Sequence, residues 1–272
     1  MKKWLLSIGG LTITVGVAFV LGGVDNRLSI RRYRYYHPKV KESVRAVVIT
    51  DLHSNLYGER QKDLLAMITQ QHPDIVLLVG DIVDEYMPLG HAMHFLTGVA
   101  KDYPTYYVTG NHEYYTHKGE EVKQLIRAIG IEVLDNRAVL FHKGRTTLQL
   151  NGVDDMEFKA LHTQLMSETL KVKDSDALQI LLLHRPEVIR EVAMYHYDLV
   201  FSGHAHGGQW RIPGILNGVY APGQNLFPKF AGGEYRINTT TLIVSRGLDT
   251  QSHKIPRLYN PPEILVVDIA KG

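Results

Sequence analysis

Five short segments hold nearly all of the side chains in this sequence that suggest chemistry. In chain order they are Asp51-Leu52-His53, Gly80-Asp81-Ile82-Val83-Asp84, Gly110-Asn111-His112-Glu113, the single His184, and Gly203-His204-Ala205-His206. Their functional groups are carboxylates, an amide and imidazoles, with no sulfur among them. Hard and borderline donors of this kind suit divalent cations such as Mn, Fe, Zn, Co or Ni. So many donors suit two cations better than one, and a two-metal clamp is a known arrangement for in-line displacement at phosphorus.

Taken singly, each segment has an ordinary structural reading. Asp51 fits a helix N-cap, His53 a hydrogen-bonded core imidazole, Gly80-Asp81 a turn, and Asp84 an N-cap or a loop ion pair. Taken together they share one feature: most follow directly on an apolar, β-branched run. The runs are Val44 to Thr50, Asp74 to Val79, Thr105 to Thr109, Leu178 to Leu183 and Leu199 to Ser202. Short apolar runs bounded by turn residues read as buried strands. In α/β sheets, ligands bind just beyond the carboxyl ends of such strands.

The elements between them alternate. Helical spacing is predicted over Arg60 to Gln71, His91 to Lys101 and Gly119 to Ile129, giving βαβ units in the first half. Short strands follow at Ile131 to Leu134, Ala138 to His142 and Thr146 to Leu150, then a helix over Lys159 to Val172. Arg185-Pro186 opens a short helix, with proline at a tolerated early position. Late strands are predicted at Thr240 to Ser245 and Glu263 to Ile269. The expected fold class is α/β (α+β), a four-layer αββα sandwich of two mixed sheets flanked by helices, with an N-terminal transmembrane helix. The domains are then 1–24, a membrane anchor or signal-anchor; 25–43, a basic juxtamembrane linker; and 44–272, the catalytic domain.

The runs ITDLHSN, LLVGDIVD, VTGNHEYY, LLLHRPE and FSGHAHGGQ resemble the signatures of calcineurin-like metallophosphoesterases. The GHAHGGQ ending is similar to that of the bacterial membrane-associated phosphodiesterase branch. The resemblance spans roughly residues 44–209. It implies that Asp51, His53 and His206 hold a first divalent metal, that Asn111, His184 and His204 hold a second, and that Asp81 bridges them. It further implies that His112 acts as general acid or phosphoryl stabiliser, with Asp84 orienting it. The implied reaction is attack on a phosphoester by a hydroxide shared between the metals. Mn²⁺ is the expected ion, with Fe or Zn as alternatives. A phosphodiesterase or pyrophosphatase is the expected activity; a phosphomonoesterase and a non-catalytic metal-binding scaffold of the same fold are the alternatives. Asn55 and Arg246 are candidates for phosphate contact, each with a structural reading beside it. His162, His196 and His253 read as surface residues.

Bulk properties narrow the rest. The chain has 272 residues and a formal net charge of +2. That gives no general electrostatic case for nucleic acid, so a nuclease is disfavoured. Cysteine is absent, which excludes disulfides, thiolate metal sites and thiol nucleophiles. Lys2 and Lys3 precede an apolar stretch, Trp4 to Val24, without a charge. Its length meets the roughly 20 residues a bilayer requires, and no clear cleavage site follows. The expected location is the cell membrane, single-pass, with a lipid- or nucleotide-linked phosphoester as partner. The arginines from Arg27 to Arg34 suit a headgroup zone and favour a cytoplasmic domain; the two N-terminal lysines argue the opposite topology. The glycine- and proline-rich stretch Trp210 to Arg236 is expected to cap the site, dip toward lipid or pack on itself.

Overall fold

A computed structural model describes residues 22–115, 118–155, 176–250 and 256–272. The anchor expected over 1–24 lies outside them but for its last three residues. The helix expected over Lys159 to Val172, His162 and His253 also lie outside. Among the described residues no helix is long and apolar enough to cross a membrane.

Fourteen strands are described: β1 (Ser29–His37), β2 (Val44–Ile49), β3 (Ile75–Val79), β4 (Thr105–Val108), β5 (Glu132–Val133), β6 (Ala138–Lys143), β7 (Thr146–Gly152), β8 (Leu178–Leu182), β9 (Leu199–Ser202), β10 (Tyr220–Ala221), β11 (Asn225–Leu226), β12 (Gly233–Ile237), β13 (Thr240–Val244) and β14 (Glu263–Lys271). Two six-stranded mixed sheets result, with orders β1-β14-β2-β3-β4-β5 and β12-β13-β9-β8-β7-β6; β10 and β11 form a separate hairpin. The helices are α1 (Lys62–Thr69), α2 (Leu89–Asp102), the one-turn α3 (His112–Tyr115), α4 (Gly119–Ala128) and the short α5 (Ile189–Val192).

The period-2 alternation of strand side chains decides the layering. In β2, Val44, Ala46 and Val48 face Leu148, Ile180, Leu199 and Phe201 of the other sheet, and β3 and β14 add Leu77 and Val267. The opposite face of β2 sends Val47 and Ile49 against Leu64 and Ile68 of α1 and Phe95 and Leu96 of α2. On the far side, Leu181, Val200 and Leu242 pack on Ile189 and Val192 of α5. The two sheets therefore share one apolar interior, and each has helix against its outer face, which is the expected layering.

One difference concerns the stretch expected as a basic linker. Over Ser29–His37 it is β1, an edge strand paired in parallel with the whole of β14. Tyr33 and Tyr35 pack on the inter-sheet core, while Leu28 and Ile30 pack on the outer one. Arg31 reaches Glu263 at 3.9 Å and Arg32 donates to Gln71 at 2.5 Å. Arginines on the open side of an edge strand also discourage further strand pairing. These side chains thus belong to the fold, and they do not count as a free linker in a topology argument.

Candidate metal centre

Four parallel strands of the first sheet and four of the second run the same way within their sheets, and each candidate segment follows a strand end. Asp51 follows β2, Asp81 follows β3, Asn111 follows β4, His184 follows β8 and His204 follows β9. The backbone turns sharply there. Asp51, His53, Asp81, His204 and His206 all adopt positive φ, between 46° and 64°. Non-glycine residues take this conformation rarely and cluster at functional sites when they do. Two glycines make the close approach possible. A Cβ at Gly80, itself at φ +80°, would lie 2.3 Å from His184 Nδ1, and one at Gly110 would lie 2.2 Å from Asp81 Oδ1.

The result is two sets of donors with one member in common. Asp51, His53, Asp81 and His206 place ligand atoms within 4.8 Å of one another, and so do Asp81, His184 and His204. All six are buried. Asn111 joins the same cavity: its Nδ2 donates to the Tyr115 hydroxyl at 3.0 Å, while its buried Oδ1 has no hydrogen-bond partner. Asp51 Oδ2 and His53 Nε2 are likewise buried without a partner. Unpaired buried donors and acceptors are costly unless something else satisfies them.

The imidazoles are aimed by their outer nitrogens. His53 Nδ1 lies 3.0 Å from Asp84 Oδ2, His184 Nδ1 2.9 Å from the Val79 carbonyl, and His206 Nδ1 3.4 Å from Asp249 Oδ2. Each Nδ1–H toward an oxygen leaves Nε2 turned inward, the arrangement that orients metal-binding histidines. His184 Nε2 stands 3.0 Å from Asp81 Oδ2, and His206 Nε2 3.6 Å from Asp51 Oδ1. Burial opposes charge on His184, but the Asp81 and Asp51 carboxylates outweigh it and hold its pKa up at about 10. A proton there occupies the lone pair that a cation would need. Burial, with positive His184 and Arg185 nearby, pushes His204 well below the usual imidazole value, so it is neutral. The donor set fits divalent cations: carboxylates flank inward-turned imidazoles, and several buried atoms are otherwise unsatisfied.

His112 sits beside this centre. Its ring meets His53 edge-on at 4.3 Å between centroids, and its backbone N–H donates to Asp81 Oδ1 at 2.9 Å. The carboxylate expected to partner it was Asp84. That group lies 3.5 Å from His112 Nδ1, whereas Glu85 Oε2 lies at 2.5 Å. Asp84 is the nearer partner of His53, and its other oxygen accepts from the Tyr86 and Met87 N–H groups. Asp84 is not a helix N-cap, since Pro88 holds that position before α2; it lies beside both His53 and His112, with Glu85 the nearer partner of His112.

Sequence reasoning missed the supporting roles of four side chains, one of which, Glu113, lies inside a candidate segment. Glu85 is one. Asp249, beyond β13, is the second. Glu113 is the third: its buried carboxylate accepts from the backbone N–H of Asp81, Ile82, Val83 and Gly110, at 2.8 to 3.1 Å. It clamps two of the ligand-bearing loops together. Glu113→Ala would orphan those four donors, and since each buried unsatisfied group costs about 1–3 kcal/mol, the expected loss of stability is about 3 kcal/mol or more by urea unfolding. Arg185 is the fourth: a two-pronged pair with Asp155 at 2.7 and 2.9 Å holds its guanidinium 3.1 Å from His204 Nε2. The adjacency of Arg185 to His184 was the available signal. Asn55 is committed elsewhere, donating to Leu52 O and Asp249 Oδ1, and Arg246 pairs with the buried Glu263. His196 is exposed, as expected.

The centre opens into a cavity of about 940 Å³ rimmed by Tyr86, Met87, Tyr115, Tyr220 and Pro222. Tyr220 and Pro222 come from the irregular 210–236 stretch, so that stretch does border the site. Its β10–β11 hairpin and many internal hydrogen bonds also make it partly self-packed.

Two mixed sheets back to back, with a buried carboxylate and imidazole cluster at their strand ends, define a metallophosphoesterase. The chain belongs to the calcineurin-like phosphoesterase family, whose model matches residues 44–208. It is similar to a transmembrane protein with a metallophosphoesterase domain from Danio rerio, 31% identical over 218 residues, 76% of this chain. It spans about half of that relative's length, 48%. It is also similar to a metallophosphoesterase of Aquifex aeolicus, 29% identical over 93% of this chain and 97% of the relative. Among solved structures, NAD nucleotidase of Haemophilus influenzae shares the fold at 16% identity, with a TM-score of 0.50 over 77% of this chain and 46% of that one. Members of the family bind divalent metals and act as hydrolases on phosphoesters.

Proposed function

We propose that this chain is a phosphodiesterase or pyrophosphatase working with two divalent cations. Asp51, His53 and His206 would hold the first, Asn111, His184 and His204 the second, and Asp81 both. The observation that carries this is the sharing of Asp81 by the two donor sets. Bound there, the cations would supply Lewis acidity toward a phosphoryl oxygen and make water a nucleophile near neutral pH. The residues of the chain do the rest. Asp81 balances positive charge from both sides. His112, at the cavity wall, holds a proton for the departing alkoxide, and Glu85 and Asp84 keep it there. The rim tyrosines shield the centre and leave room for a second ester group, which favours a diester over a monoester. Mn²⁺ is the ion we favour for an all-nitrogen-and-oxygen donor set. The apolar stretch Trp4 to Val24 supports a membrane location, and a lipid- or nucleotide-linked phosphoester is the substrate class in view.

With Mn²⁺, bis-p-nitrophenyl phosphate should turn over faster than p-nitrophenyl phosphate. The reverse order would mean a monoesterase, and no hydrolysis by protein loaded with two metals would mean a binding scaffold. A second expectation follows from His184. Because a cation must displace its proton, Mn²⁺ affinity should fall as pH is lowered, by up to about tenfold per unit if one proton is released. Calorimetric titrations at two pH values read this directly, and an unchanged affinity would remove His184 from the donor set.

A further inference from the structure

The stretch between β9 and β12 exposes apolar side chains that the centre does not use. Ile215 is 83% exposed, Leu226 64% and Phe227 67%, with Trp210 and Ile212 beside them. Backbone hydrogen bonds tie the segments that carry them to one another. The Val219 N–H donates to the Trp210 carbonyl at 3.0 Å, the Phe227 N–H donates to the Val219 carbonyl at 2.8 Å, and Ile212 and Leu216 bridge a turn. Scattered apolar residues at a surface are normal, but a contiguous patch with a polar rim marks an interaction site.

The chain entering the described fold arrives at this same place. Gly23 lies against the Tyr259 ring, and the Tyr259 N–H donates to the Gly23 carbonyl at 2.6 Å. The preceding residue, Leu258, runs beside Trp210 in a parallel bridge, and Trp210 Nε1 donates to the Pro256 carbonyl at 2.9 Å. The uncharged stretch Trp4 to Val24 therefore joins the domain next to the exposed patch. The exposed Lys229 stands two residues beyond Phe227. Tryptophan, aliphatic residues and a lysine are the residue types of a membrane interface, where aromatic rings sit at headgroup level and lysines meet anionic lipid. On the cavity side, Tyr220 pairs with Leu226 in the hairpin and also lines the metal centre's opening.

We propose that the patch formed by Trp210, Ile212, Ile215, Leu226 and Phe227 docks on the surface of an anionic lipid bilayer, the same one that takes up the Trp4 to Val24 stretch. The domain then lies against the membrane with the site's mouth at the headgroup level. Phosphoesters carried in that surface reach the centre without leaving it.

The absence of cysteine makes the test clean, because one introduced thiol gives one label. Full-length protein bearing Leu226→Cys or Ile215→Cys is labelled with an environment-sensitive fluorophore and reconstituted into phosphatidylethanolamine–phosphatidylglycerol vesicles. Leu140→Cys, exposed on β6 at the far edge of the second sheet, serves as the distant control. The expected result is a blue shift at 215 and 226, with loss of emission when the acyl chains carry bromine, and neither change at 140. Three results would overturn the proposal: labels at 215 and 226 that stay in water while the protein floats with the vesicles, protein that does not float at all, or shielding without vesicles that grows with protein concentration and so reports a second copy. Thermal melts of each labelled variant confirm folding, and the two positions stand in for each other if one fails. The readout does not involve hydrolysis, so failure of the phosphodiesterase reading leaves this result standing and the reverse also holds.

Discussion

Asp81→Asn is expected to abolish hydrolysis and to strip the centre of bound metal. Asparagine has the shape of aspartate, and its amide oxygen can still accept the His112 N–H that Asp81 Oδ1 accepts at 2.9 Å. What disappears is the charge. Asp81 is common to both donor sets and is buried. Burial alone would raise its pKa, but positive His184, His53 and His112 hold it well below the usual carboxylate range, so it is ionised at neutral pH. Two cations a few ångströms apart repel, and a shared carboxylate offsets that repulsion. Without it, Mn²⁺-supported turnover of bis-p-nitrophenyl phosphate should fall by about ten-thousandfold, roughly 5 kcal/mol on the barrier. Elemental analysis of the dialysed variant should show fewer than two ions. Full activity in Asp81→Asn, or an unchanged metal content, would mean that the two donor sets do not act through this residue. The fold should survive, because the hydrogen bonds that shape the loop come from Glu113 and the backbone.

Most of the strand framework was readable because buried strands are short, apolar and followed by turn residues. The runs at Val44, Asp74, Leu178 and Leu199 contain little else, and the structure places β2, β3, β8 and β9 there within a residue or two. The candidate ligands were readable for the same reason: a polar side chain directly after such a run sits at a strand end. β1 was not readable, because its stability comes from a partner more than 200 residues away. Its own sequence, with arginine and tyrosine alternating, looks like a solvated segment until β14 is beside it. β12, with Glu234 and Arg236 on one face, hid in the same way as an edge strand paired only to β13. The supporting carboxylates were hidden differently. Glu85 directly follows the second candidate segment and Glu113 closes the third, and nothing in their spacing says that one grips His112 while the other ties two loops together. Those roles exist only once β3 and β4 lie side by side.

The way the centre is supported explains why its geometry can be so tightly turned. Asp51, His53, Asp81, His204 and His206 all sit at positive φ, at a cost of order 1–3 kcal/mol for each such residue. Hydrogen bonds between the sheets and within the second one hold these turns in place. The His204 N–H donates to Asp51 Oδ1 at 2.8 Å, which ties the end of β9 to the end of β2, and the Gly203 N–H donates to the His184 carbonyl at 3.0 Å, which ties β9 to β8. Asp51 thus joins the two sheets as well as facing the centre. Loops on rigid strands, locked from several directions, hold side chains to the close tolerance that a preorganised site needs.

His112→Asn should separate catalysis from metal binding. The imidazole of His112 belongs to neither of the two donor sets that share Asp81; it lies beside them, with its Nδ1 on Glu85 and Asp84. Burial disfavours its charge, but the Asp84 hydrogen bond and the nearby Asp81 and Glu85 carboxylates prevail and raise its pKa to about 9. At neutral pH it therefore carries the proton that a leaving alkoxide needs. Removing a positioned general acid costs about a hundred- to ten-thousandfold in rate, so kcat should fall by that order while bound Mn²⁺ stays near the native content. A poorer leaving group should suffer more than p-nitrophenolate, which needs little protonation. Glu85→Gln supplies the companion test. Loss of its charge lowers the His112 pKa, so the protonated form is lost at lower pH and the alkaline limb of the rate profile moves down. If His112→Asn lost both ions, or if Glu85→Gln left the alkaline limb in place, His112 would be a structural neighbour of the metals and the proton would have to come from elsewhere in the cavity.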